Sequence, residues 1–302
     1  MRIVAALLAV SIAGAAAQPA TPPVESVTVT GEKLKDKEIQ DFVESHAATT
    51  FRLGKIARWE SGLCPVATGL KPEILKFVIQ RLKDIAAKVG APVNTDTSCR
   101  SNVEIVFSSN PQAVLGYIRK NREAYLGYHD NSGQADEMAK VTHPIQSWYA
   151  TATIDATGFP QVDKPSKGIP YCLDVPECHI MVSNATNYAV TGTRLGDGLH
   201  SGIMNVIVAA DRDKLVDYEV GALADYIAYL VLAQPRSLDD CESLPSILNL
   251  LASGCSRGAT TREISDADIG YLRGLYHMTP DAFLRQEQDE IAYQMKQALS
   301  GK

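Results

Sequence analysis

Residues 217–235, DYEVGALADYIAYLVLAQP, limit the possible folds more than any other stretch of this chain. The spacing predicts a helix over 216–233 in which Val220, Leu223, Ile227, Leu230 and Val231 leave no broad polar face. A helix apolar on almost every side has nothing to offer water, so the rest of the chain must enclose it. Two acids, Glu219 and Asp225, lie in the same segment. A carboxylate taken out of water is costly unless it is paired or hydrogen-bonded, so the surrounding core must also supply polar partners. Tyr218, Ala222, Asp225 and Tyr229 follow i, i+4, i+7, i+11 spacing and are expected on one face. That face has two readings: a polar cleft built from Tyr218, Glu219, Asp225 and Tyr229, or paired acids among core tyrosines. Near the helix start, Glu219 also gains from the helix dipole.

The elements around this helix alternate. An amphipathic helix is expected over 37–48, with Ile39, Phe42, Val43 and His46 at helical spacing, and a strand over 55–59. Pro72–Val89 reads as a helix with Pro in its first turn and Gly90 just past its end. A strand is expected at 103–107, followed by a helix opened by Asn110-Pro111 and running to about Tyr125. Residues 128–199 are rich in Gly, Pro, Asp and Asn, with β-like runs at 148–154 and 179–183. Loops this long usually carry function or are pinned covalently. GIMNVIVAA at 202–210 is a buried strand by its β-branched content, and it feeds the apolar helix. Residues 244–252 form a short apolar segment. Ser265 begins a capping sequence for a helix to about Tyr276, with an acid at its third position, and Thr279-Pro280-Asp281 is expected to cap a final helix. The fold class is therefore α/β (α+β): a mixed sheet with flanking helices, the buried helix 216–233 at its centre, and helices at the C-terminal end.

Arg2, the apolar run 3–13 and Gly14-Ala15-Ala16-Ala17 have the order of a secretory signal, with cleavage expected between Ala17 and Gln18. The apolar run is short of the ~20 residues that span a bilayer, so no transmembrane anchor is expected after cleavage. Residues 18–33 read as a flexible leader and 34–302 as a single domain, with an α/β part at 34–199 and a helix-rich part at 200–302. An exported chain is expected to be periplasmic or secreted. Its six cysteines then suggest disulfides, for which fifteen pairings exist in principle. The simplest is sequential: Cys64–Cys99, Cys172–Cys178 and Cys241–Cys255. The 302 residues carry a net charge of −6, with no basic footprint for nucleic acid.

Catalytic motifs are sparse. Neither a G-x-S-x-G elbow nor a phosphate-binding G-x-x-x-x-G-K-[ST] loop occurs. The histidines, at 46, 129, 143, 179, 200 and 277, include no pair at i, i+3 or i, i+4. No metal and no cofactor are expected. A scattered hydrolytic site could draw only on Glu219 or Asp225 with a distant base such as His200.

Three pieces resemble zinc metallopeptidases of the zincin type. Tyr218-Glu219-Val220-Gly221-Ala222-Leu223 is similar to the H-E-x-G-H-x pattern, with Tyr218 and Ala222 where two imidazoles bind zinc. Leu244-Pro245-Ser246-Ile247-Leu248-Asn249 is similar to the S-I-M-N turn beneath the metal. The segment 264–276, ISDADIGYLRGLY, looks like the helix after that turn. The chain also resembles a group of exported proteobacterial proteins of unknown function that share the degenerate helix. The resemblance implies a zincin-like fold over about 199–278 without its zinc chemistry. It implies no activity; the expected role is non-catalytic, binding a peptide or envelope protein segment in the cleft beside the 218–229 helix and the edge strand. The alternatives are the atypical Glu219/Asp225 hydrolase and a structural envelope protein.

Overall fold

A computed structural model describes residues 36–163 except 97, and residues 188–300 except 192, 193, 195 and 257. All of them fall in the unit Leu34–Lys302. The expected signal, the leader, the run at 179–183 and the Cys172–Cys178 pair lie outside the described residues.

The fold is mixed α/β, with seven α-helices and six strands among the described residues. Helix α1 (Asp36–His46) leads to β1 (Arg58–Trp59) and β2 (Pro65–Thr68). After these come α2 (Pro72–Val89), β3 (Val103–Ser108), α3 (Pro111–Asn121), a 3-10 turn at Glu123–Leu126, α4 (Ser132–Met138), β4 (Ile145–Ile154) and β5 (Pro160–Val162). The second half contributes β6 (His200–Asp211), α5 (Val220–Leu232), a 3-10 turn at Ile247–Leu250, α6 (Asp266–His277) and α7 (Leu284–Ser300). The sheet order is β2-β3-β6-β4-β5, with β1 beside the start of β6. Strands β1, β2, β3 and β6 run parallel, β4 is antiparallel to β6, and β5 is antiparallel to β4.

Helices α1, α2, α5, α6 and α7 share the larger core with one face of the sheet. A smaller core on the other face joins Leu115 and Ile118 of α3 to Leu126, Trp148 and Ile207. Strand β4 serves both, sending Tyr149 one way and Trp148 the other, as successive strand residues do. Gly90 ends α2 in the left-handed conformation at φ 86°, donating back to Ala86 and Ala87 carbonyls. Asn110 caps α3 by accepting from Ala113 N at 3.1 Å. Two disulfides, Cys64–Cys99 and Cys241–Cys255, pin loops in the two halves.

The structure corrects four boundaries. The apolar helix starts at Val220, not 216, because the chain leaves β6 through tight turns in which Lys214 N–H returns to Asp211 O and Tyr218 N–H to Leu215 O. Of the strand expected at 55–59 only Arg58–Trp59 pairs with β6, since Lys55 closes a turn back to Thr50. Helix α3 stops at Asn121, and Arg122 turns the chain into the 3-10 segment. Thr279-Pro280-Asp281 does not cap α7, which begins at Leu284. Asp281 instead gives its carbonyl to the buried Lys55 ammonium at 3.2 Å.

Lys55 belongs to a buried polar cluster. Its ammonium also meets Asp197 Oδ1 at 2.6 Å and Leu199 O at 2.5 Å. Close by, Glu287 in the first turn of α7 accepts from Ile56 N at 3.0 Å. Its other oxygen has no partner among the described residues, and burial pushes its pKa up to about 7.

Candidate functional site

The five residues singled out on the apolar helix do not form one cleft. Glu219 occupies the N-cap position of α5 without a side-chain capping bond. Its carboxylate is largely in solvent, 3.4 Å from Arg262. Tyr218 precedes the helix and is partly exposed. Tyr218 and Ala222 are therefore not one helical turn apart on a shared face, and the four-residue face is corrected to Ala222, Asp225 and Tyr229, all buried.

Asp225 is 1% exposed and fully engaged. Arg81 of α2 donates to both its oxygens, at 2.5 and 2.9 Å, and Ile264 N–H donates at 2.8 Å. The same contact raises the pKa of Arg81. Tyr229 lies against His46 of α1, its hydroxyl 2.6 Å from Nε2, while His46 Nδ1 lies 2.7 Å from Glu242 Oε1. Phe42 stacks on His46, and Tyr271 meets it edge-on. Burial pushes the phenols of Tyr226, Tyr229 and Tyr271 well above their ordinary range, so they stay neutral. Around its buried residues, α5 sits in a hydrogen-bonded core. His200 is not brought to it: half-buried at the start of β6, it sits 4.0 Å from Glu60, and burial lowers its pKa. Among the described residues no three His, Cys, Asp or Glu side chains group as metal ligands do.

The two segments after α5 are tied together by one carboxylate. Ser265 and Asp268 form a reciprocal capping box at the start of α6. Asp268 also accepts from Ser246 Oγ at 2.7 Å and Ile247 N at 2.8 Å. The 3-10 turn is thereby fixed to the first turn of α6. Burial raises the pKa of Asp268 against the pull of these donors.

A cavity of about 650 Å³ opens beside Glu219, lined by Pro245, Arg262 and Ser265 among others, and a second open feature runs along the outer edge of β4. Strand β5 pairs only with Ala152, Thr153 and Ile154, so 145–151 has no strand on that side. The pairing pattern sets which groups face out. Asp211 N–H donates to Pro144 O, and Asp163 N–H donates to Thr151 O from the far side. Even-numbered residues of β4 therefore address β6, and Ile145, Ser147 and Tyr149 turn their N–H and C=O groups outward. Among the described residues no backbone bond reaches Ser147 from that side. Gly127 packs over the Tyr149 carbonyl so closely that a Cβ there would lie 2.6 Å from the oxygen.

A cavity of about 450 Å³ follows this edge, walled by Phe51, Tyr128, Ser147, Trp148, Gln234 and Arg236 among others. Phe51 stacks on Tyr128 with centroids 4.5 Å apart, and the Arg52 guanidinium lies 5.7 Å from the Tyr128 centroid. The Gln234 amide oxygen is buried without a partner among the described residues. His143 Nε2 meets Asp239 Oδ1 at 2.9 Å. Tyr149 ties the groove to the end of α5, donating to Leu230 O at 2.6 Å. Sequence reasoning missed Phe51, Tyr128, Ser147 and Arg236. The β-like run at 148–154 and the long region after Tyr128 were the available signals, but edge exposure is a tertiary property that no local pattern encodes.

No family model, curated protein or solved structure matches this chain. The described residues form a mixed α/β, disulfide-bonded fold in which part of the β4 edge, unpaired by another strand, adjoins a cavity.

Proposed function

We propose that this is an exported, non-catalytic protein of zincin-like layout that binds an extended peptide or protein segment along the outer edge of β4. One observation carries the reading: the outward N–H and C=O groups of Ser147 lie on a cavity with stacked aromatic rings at its mouth. An extended segment added there gains main-chain hydrogen bonds, and the cavity receives alternate side chains. The layout is supported by the order β4, β6, α5, 3-10 turn, α6. Hydrolysis by Glu219 or Asp225 has little support, because the first is a solvated N-cap and the second is saturated with donors. Export is supported by the two disulfides, which persist in oxidising compartments. Among the described residues no helix is long and apolar enough to cross a membrane.

Ser147→Pro tests the reading. Proline removes one outward N–H, a position where edge strands tolerate it, while Ser147→Ala keeps that N–H. Binding of labelled alternating peptides, followed by fluorescence anisotropy, is expected to survive Ser147→Ala and to fall in Ser147→Pro. Equal binding by the two variants, each with an unchanged melting curve, rejects strand addition.

A further inference from the structure

One tight loop joins the mouth of the β4 groove to the buried Lys55 cluster. Thr49 and Ile56 pair across its base. Thr50 N–H donates to Lys55 O and Gly54 N–H to Thr50 O, both at 2.9 Å. The tip carries Phe51, 69% exposed and stacked on Tyr128. The first leg is tied to the chain leaving α5, by Ala48 N–H to Gln234 O. The second leg is tied through Lys55 and Ile56. An ammonium has three donors, and Lys55 spends them on Asp197 Oδ1, Leu199 O and Asp281 O. Ile56 N–H goes to Glu287 Oε2 at 3.0 Å, while Glu287 Oε1 is buried with no partner among the described residues. A neutral carboxyl tolerates a bare oxygen better than a carboxylate, which needs a donor there. The cation that most favours the ionised form of Glu287 is Lys55, ahead of Arg58, yet each Lys55 N–H already has an acceptor.

We propose that residues 49–56 form a proton-linked arm: protonated Glu287 leaves Lys55 to its three acceptors and keeps Phe51 seated on Tyr128, whereas ionised Glu287 takes one Lys55 N–H and loosens the arm at the groove mouth. The effect on the groove rests on the strand-addition reading; the motion of the arm does not. Burial holds the Glu287 proton up to about pH 7, so the arm is seated in acid and slackens above neutrality. Other charged or titratable groups surround Glu287. Arg58 of β1 is committed to Glu60 and to the Met278 carbonyl, each at 2.8 Å. Asp197, ahead of β6, shares Lys55, and the Tyr271 phenol comes from α6. His200 of β6 lies among Glu60, Arg58 and Lys55. On α1, which packs against α7, His46 is engaged by Tyr229 and Glu242. Glu287 differs from all of these in having an oxygen without a donor.

The test is amide hydrogen exchange of the full chain, read by mass spectrometry over residues 49–56 and corrected at each pH for the intrinsic rate. Between about pH 5.5 and 8, opening of this fragment is expected to rise about ten-fold in wild type, while fragments within α2 stay level. Glu287→Gln keeps the shape of the neutral form and is expected to abolish the rise. Asp197→Asn frees one Lys55 N–H and is expected to reverse the sign, with an arm that is loose in acid and tightens as Glu287 ionises. That reversal tests the arm even if Glu287→Gln folds poorly, and a merely structural role for the cluster does not produce it. A flat wild-type profile, or the same rise in wild type and Glu287→Gln, overturns the proposal. Anisotropy of the labelled alternating peptides, measured alongside, is expected to show weaker binding as pH rises in wild type and level binding in Glu287→Gln. Level binding in wild type while the arm loosens overturns its link to the groove. If the arm loosens as expected and no peptide binds at any pH, strand addition falls and the arm stands.

Discussion

Arg81 on α2 closes on Asp225 of α5 through two hydrogen bonds, Nε to Oδ1 at 2.5 Å and Nη2 to Oδ2 at 2.9 Å. The most apolar helix of the chain therefore carries its one fully buried charge in a bidentate grip, with Ile264 N–H completing the shell. Breaking one side of such a pair leaves a carboxylate stranded away from water. Arg81 is itself 38% exposed, so water offsets part of the loss. Arg81→Met is expected to lower the unfolding free energy by about 2 kcal/mol in urea titration. Asp225→Asn, which still accepts from Ile264, is expected to cost less.

Tyr229→Phe removes a hydroxyl lying 2.6 Å from His46 Nε2 and leaves a buried imidazole nitrogen without its partner. A loss of about 1 kcal/mol is expected by thermal unfolding. Peptide binding at β4 is expected not to change, because Tyr229 is enclosed in the core. A parallel loss of binding would place the functional site back at the helix.

Glu287 gives the fold a pH dependence of definite sign. Burial raises its folded pKa to about 7, above the ordinary 4.5. Between those values the folded state holds a proton that the unfolded state has released. Stability is therefore fullest below about 4.5 and declines as pH rises toward 7, by about 3 kcal/mol in total. Glu287→Gln is expected to flatten that slope in urea titrations across the range. An unchanged slope rejects the assignment to Glu287.

The two described disulfides close loops of different length, with separations of 35 and 14 residues. Chain entropy predicts a loss of about 4 kcal/mol for Cys64→Ser/Cys99→Ser and about 3 kcal/mol for Cys241→Ser/Cys255→Ser. Denaturant midpoints of the two double variants, each compared with wild type, check the order.

Much of the architecture was legible because local chemistry and tertiary demand agree. Pro72 and Gly90 bracket α2, Ser265 and Asp268 cap α6, and the β-branched run of β6 is buried as its composition requires. The sequential pairing holds for Cys64–Cys99 and Cys241–Cys255. The start of α5 was misplaced because helical spacing continues through 216–219, while the turns that hold those residues depend on hydrogen bonds back to the end of β6. The partners of Asp225 and Tyr229 were out of reach for another reason: Arg81 and His46 lie 144 and 183 residues away. A periodic pattern demands burial and polar partners, but it cannot name those partners. The groove was the least legible part, since it exists only because β5 is three residues long.

That short β5 also acts as a ruler. At one end of the free edge Pro144 commits its carbonyl inward to Asp211, and at the other Asp163 occupies Thr151 O. Between these stops Ile145, Ser147 and Tyr149 turn outward, but Ile145 is buried and Gly127 covers the Tyr149 carbonyl, so the accessible edge centres on Ser147. A guest can dock there for a few residues and no more. Sheets with long open edges recruit copies of themselves and grow without limit; the accessible edge of β4 is far shorter than the strands that template such growth.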